Sequence, residues 1–162
     1  LSVSPCLGYP RQWVIDSVPE SLSAADVEFA YEGRVPALRG LSLTLAAGAF
    51  ITVVGPNGSG KSTLVKLLSG YLHPQRGAVT LGDRPLAGLS ARERARRIAV
   101  VPQDVPAAFD FTALDVVLMG RSPHLPLLGV ETARDRALAR EAMRLTATEE
   151  FADHPLLSLI HI

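Results

Sequence analysis

The chain is 162 residues long and 48% hydrophobic, which allows one ordinary domain with a buried core and removes disorder as the default. Sixteen basic and sixteen acidic residues cancel, leaving no electrostatic footprint for nucleic acid. The single cysteine, Cys6, cannot close an internal disulfide, which points to a reducing compartment and an incidental thiol.

Leu1 to about Ser21 is poorly patterned, broken by Pro5, Gly8, Pro10 and Pro19 around a lone Trp13. No methionine precedes Met119, and we expect translation to start near Val18, with the residues before it an upstream stretch read in frame. Ala25 to Tyr31 alternates as a strand, and Glu32-Gly33-Arg34 reads as a turn. Leu41 to Leu45 alternates again before the turn at Ala46-Ala47-Gly48. Two such strands predict an antiparallel sheet with one solvated face. Tyr31 ends the first of them, where its ring can stack on adenine or simply cover the sheet.

Phe50 to Val54 is an uncharged run of strand formers that suits a strand buried on both faces of a parallel sheet. No residue from Gly40 to Gly60 is charged, but Gly48, Gly55, Pro56, Asn57 and Gly58 exclude a lipid-exposed helix there. No signal peptide is read either.

Next comes Gly55-Pro56-Asn57-Gly58-Ser59-Gly60-Lys61-Ser62-Thr63, which fits Gly, four residues, then Gly-Lys-Ser. Leu64, Leu67 and Leu68 follow at helical spacing, so the loop joins a strand to a helix. Gly55, Gly58 and Gly60 can take backbone angles other residues resist and let main-chain N–H groups close around an anion. The positive end of the helix dipole points the same way. Lys61 would reach the β and γ phosphates, and the Ser62 hydroxyl would hold Mg²⁺. Asn57, Ser59 and Thr63 complete the nucleotide-binding set. A plain glycine-rich turn is the competing reading; strand, loop, Lys-Ser and helix in this order rarely coincide by chance.

His73 to Gly77 is a turn, Ala78 to Leu81 a further strand, and Gly82-Asp83 a reversal. Ser90-Ala91-Arg92-Glu93 is a capping box opening a short basic helix through Arg97, whose arginines we read as a solvated face rather than a binding patch. Ile98 to Val101 is a second buried strand, ending in Pro102-Gln103-Asp104. A glutamine at such a strand end can touch Mg²⁺ or an attacking water, whereas Gln103 without the upstream loop would count as surface. Thr112 caps a helix running to Met119 and stopped by Gly120. Ser122 to Pro126 is a loop, and Glu131 to Thr146 a helix with Ala133, Ala137, Leu138 and Leu145 among its apolar positions. His73, His124 and His154 lack metal-ligand spacing and are assigned to no metal.

Together these residues resemble the ATP-binding subunit of an ABC transporter, from Leu22 to about Leu156. The loop is similar to the family's Walker A motif, Tyr31 lies where the family places its adenine-stacking aromatic, and Val101-Pro102-Gln103-Asp104 resembles its Q-loop. Phe111 to Arg121, followed by Pro123-His124, is similar to the branch serving iron-chelate, haem and cobalamin importers. The resemblance implies an α/β fold: a P-loop NTPase core with an N-terminal antiparallel β subdomain and part of a helical subdomain, incomplete. It implies ATP and Mg²⁺ as ligands, Lys61 and Gln103 as catalytic residues, and Ser62 and Gln103 at the metal. It also implies a homodimer with a second ATP-binding subunit, peripheral at the cytoplasmic face of the membrane. There the dimer would sit on transmembrane permease subunits fed by a solute-binding protein, with no nucleic-acid partner.

The family's Leu-Ser-Gly-Gly signature, its Walker B aspartate with catalytic glutamate and its switch histidine come later than Leu156, and none occurs in this sequence. Asp104 does not fill the Walker B role, because Pro102 and Gln103 carry it past the strand end. Residues 157–162 resemble a translated transposase adapter from sequencing libraries. We therefore expect residues 22–156 to be the N-terminal portion of an ABC ATP-binding domain, able to bind nucleotide but not to hydrolyse it. At about 25 cal/mol per Å² of apolar area left wet, uncovered Val53, Val54, Val100 and Val101 could erase a typical margin of about 5–15 kcal/mol. Residues 22–156 alone are expected to be marginal or aggregating, and a sharp, reversible unfolding transition would refute this. A P-loop small-molecule kinase would want an arginine-rich lid and an acceptor pocket; Gln103 and the Tyr31 strand speak against it. A non-transport ABC ATPase stays open, and a GTPase is set aside for want of an Asn-Lys-x-Asp guanine reader.

Overall fold

The computed structural model describes residues 20–32, 35–103, 111–126, 129–156 and 158. The readings of Cys6, Trp13, Asp104 and most of 157–162 lie outside them. The chain divides into two compact units, Leu1–Ser90 and Ala91–Ile162.

The first unit is built on a four-stranded antiparallel sheet: β1 (Leu22–Phe29), β2 (Leu38–Leu45), β3 (Arg76–Leu81) and β4 (Arg84–Pro85), in the order β2-β1-β3-β4. The expected antiparallel sheet is present, and its central strand starts three residues earlier than the alternation alone indicated. Leu22 pairs with Leu45 on one side and Leu81 on the other, so ladder bonds from both neighbours recruit a stretch with weak patterning of its own. Between Ala25 and Glu28 the β1–β3 register shifts at a bulge. Asp26 there takes a φ of 48°, and its N–H donates to the Ser42 hydroxyl at 2.8 Å. Gly77 faces the bulge with a φ of 77°, and a Cβ on it would run into the carbonyl oxygens of Ala25 and Asp26. No other residue fits there without moving the sheet.

Helix α1 (Lys61–Leu68) buries Leu64, Leu67 and Leu68, the apolar stripe its spacing announced, and Thr63 with them. With Val27, Val79, Leu81 and Leu86 these residues form the core of the unit.

Two expected strands do not form. Phe50 to Val54 and Ile98 to Val101 carry no strand structure; Phe50 is 96%, Val54 84% and Val101 94% exposed. A parallel strand is stable only between neighbours that complete its ladder and cover its faces. The described residues offer no such partner to either segment.

The second unit contains α2 (Ala91–Ala95), α3 (Ala113–Met119) and α4 (Ala133–Leu145). Helix α2 ends at Ala95, two residues short of the expected Arg97. Its arginines are not a merely solvated face: Arg92 Nε and Arg96 Nε both donate to the Pro123 carbonyl, at 2.8 and 2.7 Å. Arg92 also reaches the Leu125 carbonyl, so two guanidiniums hold the loop after α3. Helix α3 begins at Thr112 as expected, in a full capping box with Asp115, and stops at Gly120. Helix α4 buries Asp135, Ala139 and Met143 rather than the Ala133, Ala137 and Leu145 positions. The side facing the core is set by α3, whose Ala113, Leu114 and Leu118 form one cluster with Ala139, Met143 and Ala152.

Asp135 is the buried charged residue among the described residues of this unit. Its carboxylate accepts from the Thr132 hydroxyl (2.6 Å), the Thr132 N–H (3.0 Å) and Arg121 Nε (2.9 Å). The Thr132 side chain first, then its backbone N–H and Arg121, lower the Asp135 pKa from the ordinary 3.8 to about 2. A carboxylate stabilised in the fold supports folding above its ordinary pKa and loses that support as pH falls through the folded value. The Asp135 contribution is therefore complete above about pH 4 and fades towards pH 2. Carboxyl-carbon NMR should report a midpoint near 2 for Asp135. Thr132→Ala should move it upward and bring acid unfolding to higher pH; an unmoved midpoint would show that the capping bonds do not set it.

Candidate functional site: the glycine-rich loop and Tyr31

The loop from Gly55 to Gly60 reaches α1 without a side-chain cap. Gly60 is the N-cap residue, in the left-handed region (φ 87°, ψ 6°), and the first turn of α1 holds no acidic residue. A Cβ at Gly60 would stand 2.6 Å from the Ala37 carbonyl oxygen and 2.9 Å from Leu38 Cδ2. Leu64 N–H is the first bonded along the helix, to Gly60 O at 2.8 Å. Among the described residues the N–H groups of Lys61, Ser62 and Thr63 are thus left as the open donors of a helix start. Asn57, Gly58 and Ser59 form the tight turn ahead of them, exposed, with Ser59 N–H bonded to Pro56 O at 3.2 Å.

Lys61 folds back over this turn, and its Nζ donates to Gly55 O at 2.7 Å and Pro56 O at 2.8 Å. The ammonium, three open N–H groups and the helix dipole converge on one small region, and the first turn of α1 adds no carboxylate. This suits a polyanion. Ser62 is exposed, and its hydroxyl is a hard oxygen of the kind Mg²⁺ accepts alongside water and phosphate. A cavity of about 320 Å³ lies against the loop, walled by Gly55, Pro56, Ser59, Gly60 and Lys61 and by the apolar side chains of Leu38, Leu41, Val53, Val54 and Leu64.

Tyr31 stands past the end of β1. Its ring meets Phe29 edge to face at 4.9 Å between centroids, and its hydroxyl lies 3.4 Å from the Thr63 hydroxyl. It is 43% exposed, so part of the residue is open to solvent. Tyr31 and the loop share the first unit; Gln103, exposed, belongs to the second.

Residues 38–159 match the ABC transporter family. The chain belongs to that family. It is 45% identical over 85% of its length to the hemin import ATP-binding protein of Gloeobacter violaceus, of which it covers 50%. It is 42% identical over 69% of its length to the cobalamin import ATP-binding protein of Halobacterium salinarum, covering 28% of that protein. The ATP-bound structure of a bacterial Atm1-family ABC exporter superposes with a TM-score of 0.69 at 26% identity, over 85% of this chain and 24% of that one. The chain spans about half the length of the hemin-import relatives it matches. The loop of this ABC chain is the segment that the Walker A resemblance picked out.

Two contacts around the ABC loop were not legible in the sequence. Thr63 is buried and faces the Tyr31 hydroxyl. Gln75, read only as part of a turn, places its carboxamide on the backbone of Ala30, accepting from Ala30 N–H at 2.9 Å and donating to Ala30 O at 3.1 Å. The only local hint is a proline, Pro74, beside a strand start, and nothing in it points to a partner 45 residues away.

Proposed function

We propose that this chain is the nucleotide-binding portion of the energy-coupling ATPase of an ABC importer, with iron-siderophore, haem or cobalamin as cargo. The observation that carries the reading is the uncapped start of α1 with Lys61 folded over it. In this reading Gly55, Asn57, Gly58, Ser59 and Gly60 wrap the phosphates. Lys61, Ser62 and Thr63 offer N–H donors to them, and Tyr31 stacks on adenine. Lys61 moves its ammonium from two loop carbonyls to the β and γ phosphates. Ser62 would hold Mg²⁺, with Gln103 as the second ligand that the family resemblance implies, and the ion would supply charge neutralisation. Gln103 also positions water near the γ phosphate.

The names of the hemin and cobalamin import proteins support the importer assignment. No helix among the described residues is long and apolar enough to cross a membrane, which accords with a peripheral subunit docked on a permease. The partners in this reading are transmembrane permease subunits and a second ATP-binding subunit, with a solute-binding protein acting indirectly, at the cytoplasmic face of the membrane.

Equilibrium titration of the intact gene product with ATP and Mg²⁺, paired with affinity purification from membranes, tests both halves. Saturable ATP binding and recovery of a permease are expected. Absence of nucleotide binding would end the ATPase reading, and recovery of RNA or DNA in place of a permease would end the importer reading.

A further inference from the structure

The backbone that carries Tyr31 is held from two sides. Towards β2, Ala37 N–H donates to Phe29 O at 2.8 Å. Towards β3, Gln75 N–H donates to Glu28 O at 2.9 Å. The last β1–β3 pair is Glu28 with Arg76, and Pro74, two residues ahead of Arg76, has no N–H to extend the ladder. The N–H and C=O of Ala30 are taken up instead by the Gln75 side chain, at 2.9 and 3.1 Å. A carboxamide has the donor and acceptor of a peptide group in one plane, and here it replaces the missing peptide unit of β3.

We propose that Gln75 is a positioning residue for nucleotide recognition: its carboxamide extends the β1–β3 ladder by one step and thereby aims Tyr31 at the base of the bound nucleotide. This rests on the proposed stacking of Tyr31 on adenine. Ala30 is the residue before Tyr31, so freeing its two backbone groups lets the ring swing on Phe29; the Tyr31 hydroxyl meets Thr63 through its side-chain oxygen and not through the N–H offered to phosphate. Gln75 touches no part of the phosphate loop in any hydrogen bond described for it. Its effect should therefore fall on the base and not on the phosphates.

The test compares ATP with inorganic tripolyphosphate, which has the anion and no base, as ligands of the intact gene product. Gln75→Ala is expected to weaken ATP about three- to tenfold, the size of one or two lost hydrogen bonds, and to leave tripolyphosphate unchanged. Gln75→Glu keeps the acceptor for Ala30 N–H but sets a carboxylate against Ala30 O, and should fall between. In a Tyr31→Ala background, Gln75→Ala should add nothing. Equal weakening of both ligands would mark Gln75 as merely structural and overturn the proposal. So would an unchanged ATP affinity while Tyr31→Ala alone weakens it. If Tyr31→Ala leaves ATP affinity intact, the stacking reading itself falls and takes the proposal with it. Should the alanine variant fail to fold, Gln75→Glu decides on the same two ligands.

Discussion

Lys61→Ala is expected to weaken binding of ATP with Mg²⁺ roughly ten- to a hundredfold while leaving the fold intact. The ammonium already stands at the loop, donating to Gly55 O and Pro56 O at 2.7 and 2.8 Å. Those carbonyls are neutral acceptors, and a phosphate oxygen is a charged one. The ammonium makes a charge-assisted bond to either acceptor, but only the phosphate adds attraction between opposite charges, so the exchange favours the nucleotide. Alanine forfeits about 1.5–3 kcal/mol of such interaction. Lysine is a compact charge on a flexible stem, and Lys61→Arg replaces it with a planar fork that does not fit the same turn; little rescue is expected. Calorimetric titration measures the loss, and circular dichroism checks that α1 survives. An alanine variant that binds ATP as tightly as the parent would remove the phosphate-cradle reading.

Gly60→Ala should be more damaging, because it strikes fold and site together. The φ of 87° lies where a Cβ costs about 1–2 kcal/mol by itself. The added carbon would also meet Ala37 O at 2.6 Å. That oxygen is backbone, on the residue whose N–H bonds to Phe29 O, and it cannot withdraw without opening the end of the β1–β2 pair. Forced overpacking adds about 1–3 kcal/mol. Denaturant melts of the intact gene product should show a loss of a few kcal/mol, and tripolyphosphate binding should disappear with ATP binding. Gly48→Ala is the control: its φ is similarly positive at 74°, but a Cβ there meets nothing within 4 Å. It should cost stability without touching the loop. Equal melting points for Gly60→Ala and Gly48→Ala would show that the Ala37 approach is unimportant.

The exposed runs at 50–54 and 98–101 bear on how such experiments are done. Phe50, Val54 and Val101 leave most of their surface in water, and at about 25 cal/mol per Å² such exposure weighs heavily against a small core. The 162-residue chain is therefore the wrong specimen for quantitative binding, and the intact gene product the right one.

Features contained within one turn of chain could be read directly from the residues. The Gly-Pro-Asn-Gly-Ser-Gly-Lys-Ser-Thr loop is one. Another is the Thr112 cap, whose Asp115 partner lies three residues on. A third is the stripe of Leu64, Leu67 and Leu68 on α1. In each the interacting groups are neighbours along the backbone, so spacing alone decides that they meet. Tertiary structure decided the features whose partners are distant. Apolar runs at 50–54 and 98–101 have the composition of buried strands, but a strand is defined by its neighbours, and none is present among the described residues. The buried side of α4 was chosen by α3 and not by the apolar count of α4 itself. Likewise Ala30 has its partner in a side chain 45 residues away, beyond the last paired residues of β1 and β3. Sequence by itself determined that a glycine-rich loop runs into a helix with Lys61 at its start. What aims the ring of Tyr31 beside it is a hydrogen-bond pairing that only the folded chain completes.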